Sequence, residues 1–281
     1  MDQADILIIG VIYNTYPETL RYLESLKPLA TGKIGLILVD NSDKVKPLDF
    51  LEKIKDFPFL HYIETGKNLG YFRGAQEGLN YYLREHSSYP KWILVTNVDI
   101  VFTPQFFNRL NELNDRQNLG VIAPSIISQK WNTDYNPKIL GRYSKRKLML
   151  FRLLYSNFLV HNLYLSAAYI KKWGLGLQRG KKSTAEFHAE NVRKIYAPHG
   201  SCLVFKNTYF IQGGTLDLPN FLFGEEILVA ETALNLGLDV EYHPEMVIHD
   251  HEHASTGFFL TPQMSLYNLQ AIRSILERYY P

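Results

Sequence analysis

ILIIGVI at residues 6–12, IGLILV at residues 34–39 and WILVT at residues 92–96 are three short apolar runs that indicate the fold class. Short runs without polar alternation are typical of strands covered on both faces, so they predict a parallel or mostly parallel sheet. Each run leads into polar residues: Asn14 after the first, Asp40-Asn41 after the second and Asn97-Val98-Asp99 after the third. Open sheets of this kind bind ligands beyond the carboxyl ends of their strands, so these residues mark the predicted site.

Helical patterns alternate with the strand patterns along most of the chain. Thr15, Pro17 and Glu18 form a helix-start signature before an apolar stripe, and Pro104 begins another helix. Further strands are predicted at residues 60–64, 120–126, 201–205, 240–242 and 246–248, and further helices after the loop at 66–74 and at 225–236 and 263–280. This alternation predicts an α/β fold in which helices flank a central sheet.

Composition limits the setting in which the protein works. With 281 residues and 46% hydrophobic content, the chain can bury one large core without disulfides. The single cysteine, Cys202, excludes an internal disulfide and fits a reducing compartment. Acidic residues at the N-terminus stand where an export signal needs cations. These features predict a cytoplasmic protein.

The net charge of +2 hides a basic region in the middle of the sequence. Residues 135–185 contain no Asp or Glu but eleven Lys and Arg, whereas the rest of the chain has 19 basic and 28 acidic residues. The strand and helix alternation also breaks here. Residues 129–197 are therefore predicted to form a basic helical insert within one continuous domain.

An apolar stretch within the insert follows the cations Lys145-Arg146-Lys147. Arg152, Asn157 and His161 interrupt it, which argues against a membrane-spanning helix. One hypothesis is a helix at residues 142–172 that lies on anionic lipid headgroups, where a lipid-linked acceptor would be found. The alternative is a helical subdomain that packs on the core or pairs with a second copy as a homodimer. Apart from charge, nothing supports nucleic acid as a partner.

Asn97-Val98-Asp99 resembles the D-x-D motif of nucleotide-sugar glycosyltransferases, with an amide in place of the first carboxylate. In such a motif a hard divalent cation bridges two phosphates, and oxygen ligands suit Mg²⁺ or Mn²⁺. The alternative is that these residues only turn the chain before the helix at Pro104.

A glycine-rich loop, KNLGYFRG at residues 67–74, opens the helix after the third strand. Its glycines allow the backbone to approach a ligand, and Arg73 can meet a phosphate or a base. The loop is neither a Walker A nor a G-x-G-x-x-G motif, which disfavours nucleotide hydrolysis and nicotinamide binding. A turn without any ligand is the alternative.

Two adjacent acids, Glu225 and Glu226, stand at the start of a predicted helix. One of them could accept the proton of an attacking hydroxyl, and the flanking Phe221 and Phe223 could raise its pKa by desolvation. Helix-dipole stabilisation alone would also explain the pair.

A histidine cluster follows the strand pattern at residues 246–248. In an extended segment, His249, His251 and His253 lie on one side and could bind a cation. The single cysteine disfavours a structural Cys-His zinc site. Surface histidines without a ligand are the alternative.

In their order along the chain, these motifs resemble the inverting family-two glycosyltransferases, particularly their rhamnosyltransferase-like branch. The resemblance covers roughly residues 5–128 and 198–256, and it is carried by residues 11–14, 39–42, 68–70, 97–99, 200–202, 223–226 and 249–255. It implies a GT-A fold, a nucleotide-diphosphosugar donor and a divalent metal ion, Mn²⁺ or Mg²⁺. The implied product is a glycan or a glycosylated lipid-linked acceptor in cell-surface polysaccharide synthesis.

The resemblance also assigns roles to residues of this chain. The implied metal ligands are Asp99 and His249, with His251 as the fallback, and Glu226 is the implied base beside an acceptor-shaping Glu225. The implied donor-binding residues are Tyr13, Asn14, Asp40, Asn68, Gly70, Arg73, Asn97 and Val98. Residues 1–128 would then form the nucleotide-sugar half, and residues 198–281 the acceptor and catalytic half with the C-terminal helix.

Two positions depart from the family pattern. Asn97 removes one charge from the metal site, and Glu226 is one methylene longer than the usual aspartate. The implied reaction is a single displacement that inverts the anomeric carbon. The rival hypotheses are a sugar nucleotidyltransferase, which would need a glycine- and lysine-rich N-terminal loop absent here, and a catalytically silent binding module.

Overall fold

The structure is a computed structural model that describes residues 4–29, 33–57, 59–113, 116–178, 191–251 and 261–281; for residues 169–178 it describes the main chain alone. The described strands form one ten-stranded sheet. They are β1 Ile6–Ile12, β2 Ile34–Asp40, β3 Leu60–Glu64, β4 Trp92–Asn97, β5 Ile100–Phe102, β6 Leu119–Ser128, β7 Thr133–Asp134, β8 Arg193–Ile195, β9 Cys202–Lys206 and β10 Asp239–Asp250.

The sheet has a parallel half and a mixed half. Its order is β3-β2-β1-β4-β9-β6-β10-β5, with β7 paired to β6 and β8 paired to β10. The first four strands in this order are parallel, and every residue of β1 is buried, as its apolar run predicted. β9 runs antiparallel to β4 and to β6. The α/β fold with flanking helices is confirmed. The sheet is uniformly parallel from β3 to β4, whereas the other half combines the parallel pair β6 and β10 with antiparallel strands.

Helices cover both faces of this sheet. They are α1 Tyr16–Leu26, α2 Leu48–Lys53, α3 Tyr71–Glu85, α4 Pro104–Glu112, α5 Lys145–Tyr155, α6 Phe158–Gln178, α7 Asn207–Ile211, α8 Glu225–Asn235 and α9 Pro262–Tyr279. One core layer contains buried side chains of α3, α7, α8 and α9, and the other contains those of α1, α2 and α4. The carboxyl ends of the parallel strands are therefore held between two packed layers.

One long strand replaces two predicted short ones. Residues 240–242 and 246–248 both belong to β10, and its pairing with β6 shifts register between His243 and Val247. Pro244 lies inside this shift, and proline is tolerated within a sheet at such a bulge because it has no N–H to donate.

His243 holds this bulge through two carboxylates. It is 1% exposed, with Nε2 3.2 Å from Glu241 Oε2 and Nδ1 3.1 Å from Glu245 Oε1. Burial lowers its pKa, but the bonds to Glu241 and Glu245 outweigh burial and raise the pKa above 6.5. Arg116 also pairs with Glu241, so the cluster keeps one permanent cation.

This cluster predicts a pH-dependent contribution to stability. A raised histidine pKa stabilises the fold fully below the unfolded-state pKa, and the contribution is lost as pH rises through the folded-state pKa. The free energy of unfolding should therefore exceed that of a His243→Gln variant most at pH 5.5, and the difference should shrink at pH 8.5. Urea unfolding at both pH values measures this. A difference that does not change with pH would contradict a protonated His243.

Polar contacts bind the insert to the C-terminal half of the chain. Arg142 donates two hydrogen bonds of 2.8 Å to the fully buried Glu231 of α8, and Tyr196 and Tyr280 donate to the same carboxylate at 2.6 and 2.9 Å. Lys145 Nζ donates to the carbonyl of Pro281 at 2.7 Å. The start of the insert is thereby fixed beside the helix that begins with Glu225 and Glu226.

Candidate active site

The loops after β1 and β2 meet at the carboxyl edge of the sheet. Asn14, with a φ of 59°, donates its main-chain N–H to Ser42 Oγ at 2.8 Å and its Nδ2 to Asp43 Oδ1 at 2.8 Å. Tyr13 donates its hydroxyl to Asp43 Oδ2 at 3.0 Å, and Asn68 lies within hydrogen-bonding reach of Tyr13. The hydrogen bonds from Asn14 and Tyr13 lower the pKa of Asp43. Two predicted donor-binding residues thus bond to an exposed carboxylate that the sequence pattern had not indicated, and a third, Asn68, lies near Tyr13.

Asp40 lies beneath this edge and is 3% exposed. Its carboxylate accepts hydrogen bonds from Tyr62, from Tyr16 at 3.4 Å and from the N–H of Ser42 at 2.8 Å. Asp40 therefore supports the turn that carries Asp43, and its predicted contact with a base or ribose stays a prediction.

The glycine-rich loop is fixed to the end of β2 and reaches a distant part of the chain. The buried Asn41 donates to the carbonyl of Gly70 at 2.8 Å, and Asn68 Oδ1 accepts the N–H of Gly70 at 2.9 Å. Gly70 has a φ of 85°, and a Cβ there would lie 2.1 Å from the carbonyl oxygen of Phe221. Only glycine allows this approach between the loop and the segment that precedes α8.

Gly70→Ala should lower the free energy of unfolding by about 3 kcal/mol, because a left-handed non-glycine residue is strained and the backbone of Phe221 must move. Gly66→Ala is the matched control: its φ is 70°, but nothing lies within 4 Å of the added Cβ. We expect Gly66→Ala to lower the free energy of unfolding by only about 1 kcal/mol, because it carries the strain of the positive φ but no clash. Equal losses in urea unfolding would mean that the contact with Phe221 is not tight.

Arg73 contacts protein rather than the open edge of the sheet. Its Nε donates to the carbonyl of Leu218 at 3.1 Å and lies 3.4 Å from Asp217 Oδ1, and Nη2 lies 3.5 Å from the carbonyl of Pro219. The guanidinium thereby holds the loop that leads to α8. Its predicted place beside the nucleotide remains a prediction.

Asn97 is the last residue of β4, Val98 and Asp99 follow it directly, and this segment lies next to β9. The N–H of Asn97 donates to the carbonyl of Ser201 at 2.9 Å, and the Val98 side chain is 3% exposed in the core. Asp99 Oδ1 is buried without a hydrogen-bond partner among the described residues. Burial, followed by the nearby Asp250, raises the pKa of Asp99 to about 7. Asp99 is therefore a carboxylate held out of water and next to a second acid.

The histidine segment lies beside the main chain of Asp99 at the end of β10. His249 pairs with Val101 of β5 and is half-buried, and burial lowers its pKa, which favours the neutral imidazole that binds metals. The N–H of His251 donates to the carbonyl of Asp99 at 3.1 Å. His253 lies outside the described residues.

The donor set around Asp99 fits a hard divalent cation. Asp99 supplies an unpartnered buried oxygen, and Asp250 is a neighbouring acid. Oxygen ligands are the ones that Mg²⁺ and Mn²⁺ prefer. Within the described residues, no three Asp, Glu, His or Cys side chains form a complete metal site by themselves. Ligands from outside the protein would have to complete the coordination.

A turn with positive φ values directly precedes the two acids at the start of α8. Phe223 and Gly224 have φ values of 70° and 78°, and a bulky residue in the left-handed region is an outlier of the kind that clusters at functional sites. Glu225 and Glu226 follow directly as the first residues of the helix.

The two acids have different environments. Burial, together with the charge of Glu226, raises the pKa of Glu225 to about 7. Burial also opposes ionisation of Glu226, but the charge and hydrogen bond of Lys138, whose Nζ is 2.7 Å from Glu226 Oε1, outweigh it and lower the pKa. Glu226 is thus ionised at neutral pH beside a Glu225 that is about half protonated. Neighbouring carboxyls with separated pKa values are a common basis for acid and base roles.

His199 completes the surroundings of Glu226. Its ring stacks on Tyr135 at a centroid distance of 4.8 Å, and Nδ1 lies 3.1 Å from Ser201 Oγ. Burial, and then the charge of Lys138, lower the pKa of His199 to about 3, so the imidazole is neutral. The sequence patterns missed His199 and Lys138 as site residues. His199 directly precedes the 200–202 motif, which could have indicated it.

Tyr71 and Gly200 connect the acids of α8 with the segment after β4. Tyr71 donates its hydroxyl to the carbonyl of Gly200 at 3.0 Å, and a Cβ at Gly200 would lie 3.2 Å from Glu226 Oε1. Burial raises the pKa of Tyr71, and the charges of Glu225 and Asp99 are among the further causes. Since Asn97 bonds to Ser201, motifs separated by more than a hundred residues meet at residues 200–201.

This architecture, a curled mixed sheet with flanking helices, is the GT-A glycosyltransferase fold. The chain belongs to glycosyl transferase family 2, whose sequence profile matches residues 7–171.

Individual relatives share little sequence identity with the chain. The chain is 23% identical over 224 residues to the low-salt glycan biosynthesis hexosyltransferase Agl10 of Haloferax volcanii; the match covers 79% of this chain and 59% of that protein. S. aureus TarS 1–349, solved in complex with UDP-GlcNAc, has a TM-score of 0.58 at 10% identity, with 96% of this chain and 66% of TarS covered. GalNAc-T7, solved with UDP, GalNAc and Mn²⁺, has a TM-score of 0.57 at 12% identity, with 96% and 48% covered. The chain thus spans about half to two thirds of these relatives, and the solved structures support the fold alone.

Proposed function

We propose that the protein transfers a hexosyl group from a nucleotide-diphosphosugar donor to a hydroxyl of a glycan or lipid-linked acceptor, in cell-surface polysaccharide synthesis. The observation that carries this proposal is the convergence at residues 200–201 of the segment with Asp99 and the acids of α8. Family membership supports the transferase class, and the hexosyltransferase relative acts in glycan biosynthesis. The same family pattern supports a metal-dependent, inverting reaction.

The donor would occupy the carboxyl edge of the parallel strands. Tyr13 and Asn14 lie there and bond to Asp43, and Asn68, from the loop that contains Gly70, lies near Tyr13. These polar side chains can bind a nucleoside, whereas Asp40 and Arg73 act mainly by holding the surrounding loops. Asn97 would lie on the diphosphate side. At Val98, whose side chain is buried, any donor contact would come from the main chain.

A divalent cation, Mn²⁺ or Mg²⁺, would bind at Asp99, with His249 or His251 and the donor phosphates as further ligands. When bound, it would offset the negative charge of the departing diphosphate. Asn97 supplies an amide rather than a second carboxylate, so metal binding should depend on the donor phosphates.

Glu226 would accept the proton from the acceptor hydroxyl while that oxygen attacks the anomeric carbon from the face opposite the diphosphate. The carboxylate suits this role because it is ionised at neutral pH and its side chain keeps 18% exposure. Lys138 would hold it in place, and Glu225, whose pKa is raised, would border the acceptor site. One displacement inverts the configuration without a covalent intermediate.

A lipid-linked acceptor would place the enzyme at the cytoplasmic face of a membrane, which agrees with the single cysteine of the chain.

Thermal unfolding with a panel of nucleoside diphosphates and nucleotide-sugars, each with and without Mn²⁺, tests the proposal. We expect one nucleoside to stabilise the protein, and more strongly with Mn²⁺ present. Release of the nucleoside diphosphate from the selected nucleotide-sugar then measures turnover. Nucleotide binding without turnover, even with a panel of glycan and lipid-linked acceptors, would favour a silent binding module. The absence of any stabilisation would contradict the donor site.

A further inference from the structure

The outer surface of helices α5 and α6 is apolar although it faces solvent. We name it the α5–α6 face, and it consists of Met149, Leu150, Leu153, Phe158, Leu159, Val160 and Leu163. Leu153 is 69% exposed and Leu163 is 70% exposed. Met149, Leu150 and Leu153 follow helical spacing along one side of α5, and Leu159 and Leu163 do so on α6. Soluble monomers rarely expose apolar side chains in such density unless the surface has a partner.

The opposite sides of α5 and α6 pack on the rest of the domain, which leaves the α5–α6 face exposed to solvent. His161 is buried on α6, where Nδ1 lies 2.9 Å from Ser265 Oγ of α9 and the ring stacks on Tyr155 at 4.0 Å. Leu148, the fully buried residue of α5, belongs to the main core. The two helices therefore pack on the domain through other residues. The leucines of the α5–α6 face are not needed for that packing.

Cations without acidic neighbours border the face. Arg146 and Arg152 of α5 are exposed, and neither has an ion-pair partner among the described residues. Residues 135–178 contain no Asp or Glu at all. Other cations of the insert are engaged within the protein: Lys145 bonds to the carbonyl of Pro281, and Lys147 lies 3.7 Å from the centroid of the Tyr143 ring. Among the insert residues whose side chains the structure describes, Arg146 and Arg152 are therefore two cations available to a partner.

We propose that the α5–α6 face binds the surface of an anionic lipid bilayer, with the leucines at the level of the acyl boundary and Arg146 and Arg152 on the headgroups. Charge complementarity favours this occupant. In a symmetric dimer the same patch would meet itself, so it would bring cations together without acids to pair with them. None of the described helices is both long and apolar enough to cross a bilayer, which suits a helix pair that lies on the surface. This binding is separate from sugar transfer and needs neither donor nor acceptor.

Sedimentation of the full chain with vesicles tests the proposal. One set contains phosphatidylcholine alone, and the other contains phosphatidylcholine with phosphatidylglycerol. We expect binding to the anionic vesicles only, with about fivefold weaker binding for each of Arg146→Gln and Arg152→Gln, since a cation near an anionic surface contributes about that factor. Leu153→Ser with Leu163→Ser should weaken it by at least about tenfold. Leu48→Ser is the matched apolar control, at 80% exposure on α2, and Lys55→Gln is the exposed cationic control; both should bind normally.

Three outcomes would overturn the proposal. Equal binding to both vesicle sets would show that the arginines play no part. Failure to bind anionic vesicles would remove the lipid partner. Concentration-dependent dimers in analytical ultracentrifugation that disappear with Leu153→Ser and Leu163→Ser would assign the face to a second copy. Circular dichroism and thermal unfolding of each variant confirm that it is folded. Nucleotide binding by the same preparations keeps this result separate from the proposed transfer activity.

Discussion

Glu226→Gln is expected to lower kcat for sugar transfer about 1,000-fold while leaving donor affinity nearly unchanged. Glutamine keeps the shape of the side chain but cannot accept the proton of the acceptor hydroxyl, and general base catalysis contributes effects of about this size. Steady-state transfer rates and titration with the nucleoside diphosphate in the presence of Mn²⁺ measure the two quantities. A Glu226→Gln variant that is as active as the parent protein would remove this residue from the mechanism.

Glu225→Gln is the matched comparison because the two acids are neighbours on the same helix turn. We expect Glu225→Gln to lower kcat for sugar transfer much less than Glu226→Gln does. The pH profile separates the assignments further, because a base acts in its deprotonated form. With Glu226 as the base, kcat should already be near its plateau at pH 6, since Lys138 lowers the pKa of Glu226. With Glu225 as the base, kcat should rise through pH 7, where the pKa of Glu225 lies.

Asp99→Asn is expected to abolish the extra stabilisation that Mn²⁺ gives to the nucleotide complex and to reduce transfer at least about 100-fold. The variant loses the carboxylate whose buried oxygen has no partner in the described protein, and an amide binds hard cations poorly. Thermal unfolding with nucleoside diphosphate, with and without Mn²⁺, measures the first effect. Retention of the full Mn²⁺-dependent shift would contradict Asp99 as a ligand.

The same substitution should stabilise the unliganded protein. Burial raises the pKa of Asp99 to about 7, so in EDTA at pH 8 the folded state carries a desolvated charge that the unfolded state hydrates freely. Asp99→Asn should therefore raise the free energy of unfolding by about 2 kcal/mol at pH 8. Below about pH 3 the carboxyl is largely protonated in both states, so the gain should vanish. Asn97→Asp serves as the opposite control: a second carboxylate at this loop should strengthen Mn²⁺ binding.

Apolar runs were sufficient to predict the strands that form the centre of the sheet. β1 and β3 have the predicted bounds, and β2 and β4 each extend one residue further. β5 and β8 were missed because each has only three residues and forms by pairing with β10. Local sequence patterns do not indicate such long-range pairing. The antiparallel position of β9 between β4 and β6 likewise depends on tertiary pairing.

The candidate site was predictable where chemistry follows local motifs. Asp99 lies just after a strand, and Glu225 and Glu226 begin a helix, as the local sequence patterns predicted. Lys138 was not predictable as a site residue, because its partner Glu226 is 88 positions away. Gly70 was predicted as a donor-binding glycine, but the space that a Cβ would take at Gly70 is filled by the carbonyl of Phe221. Long-range contacts of this kind determine which polar residues face a ligand and which hold the loops around it.

A crystal structure with Mn²⁺ and the stabilising nucleoside diphosphate would show whether Asp99 and Glu226 serve one active site. We expect an anomalous Mn²⁺ peak at Asp99, with the diphosphate in one cleft that Asp99 and Glu226 both line. A Mn²⁺ ion and diphosphate bound away from Asp99, or Asp99 and Glu226 opening into separate clefts, would contradict it.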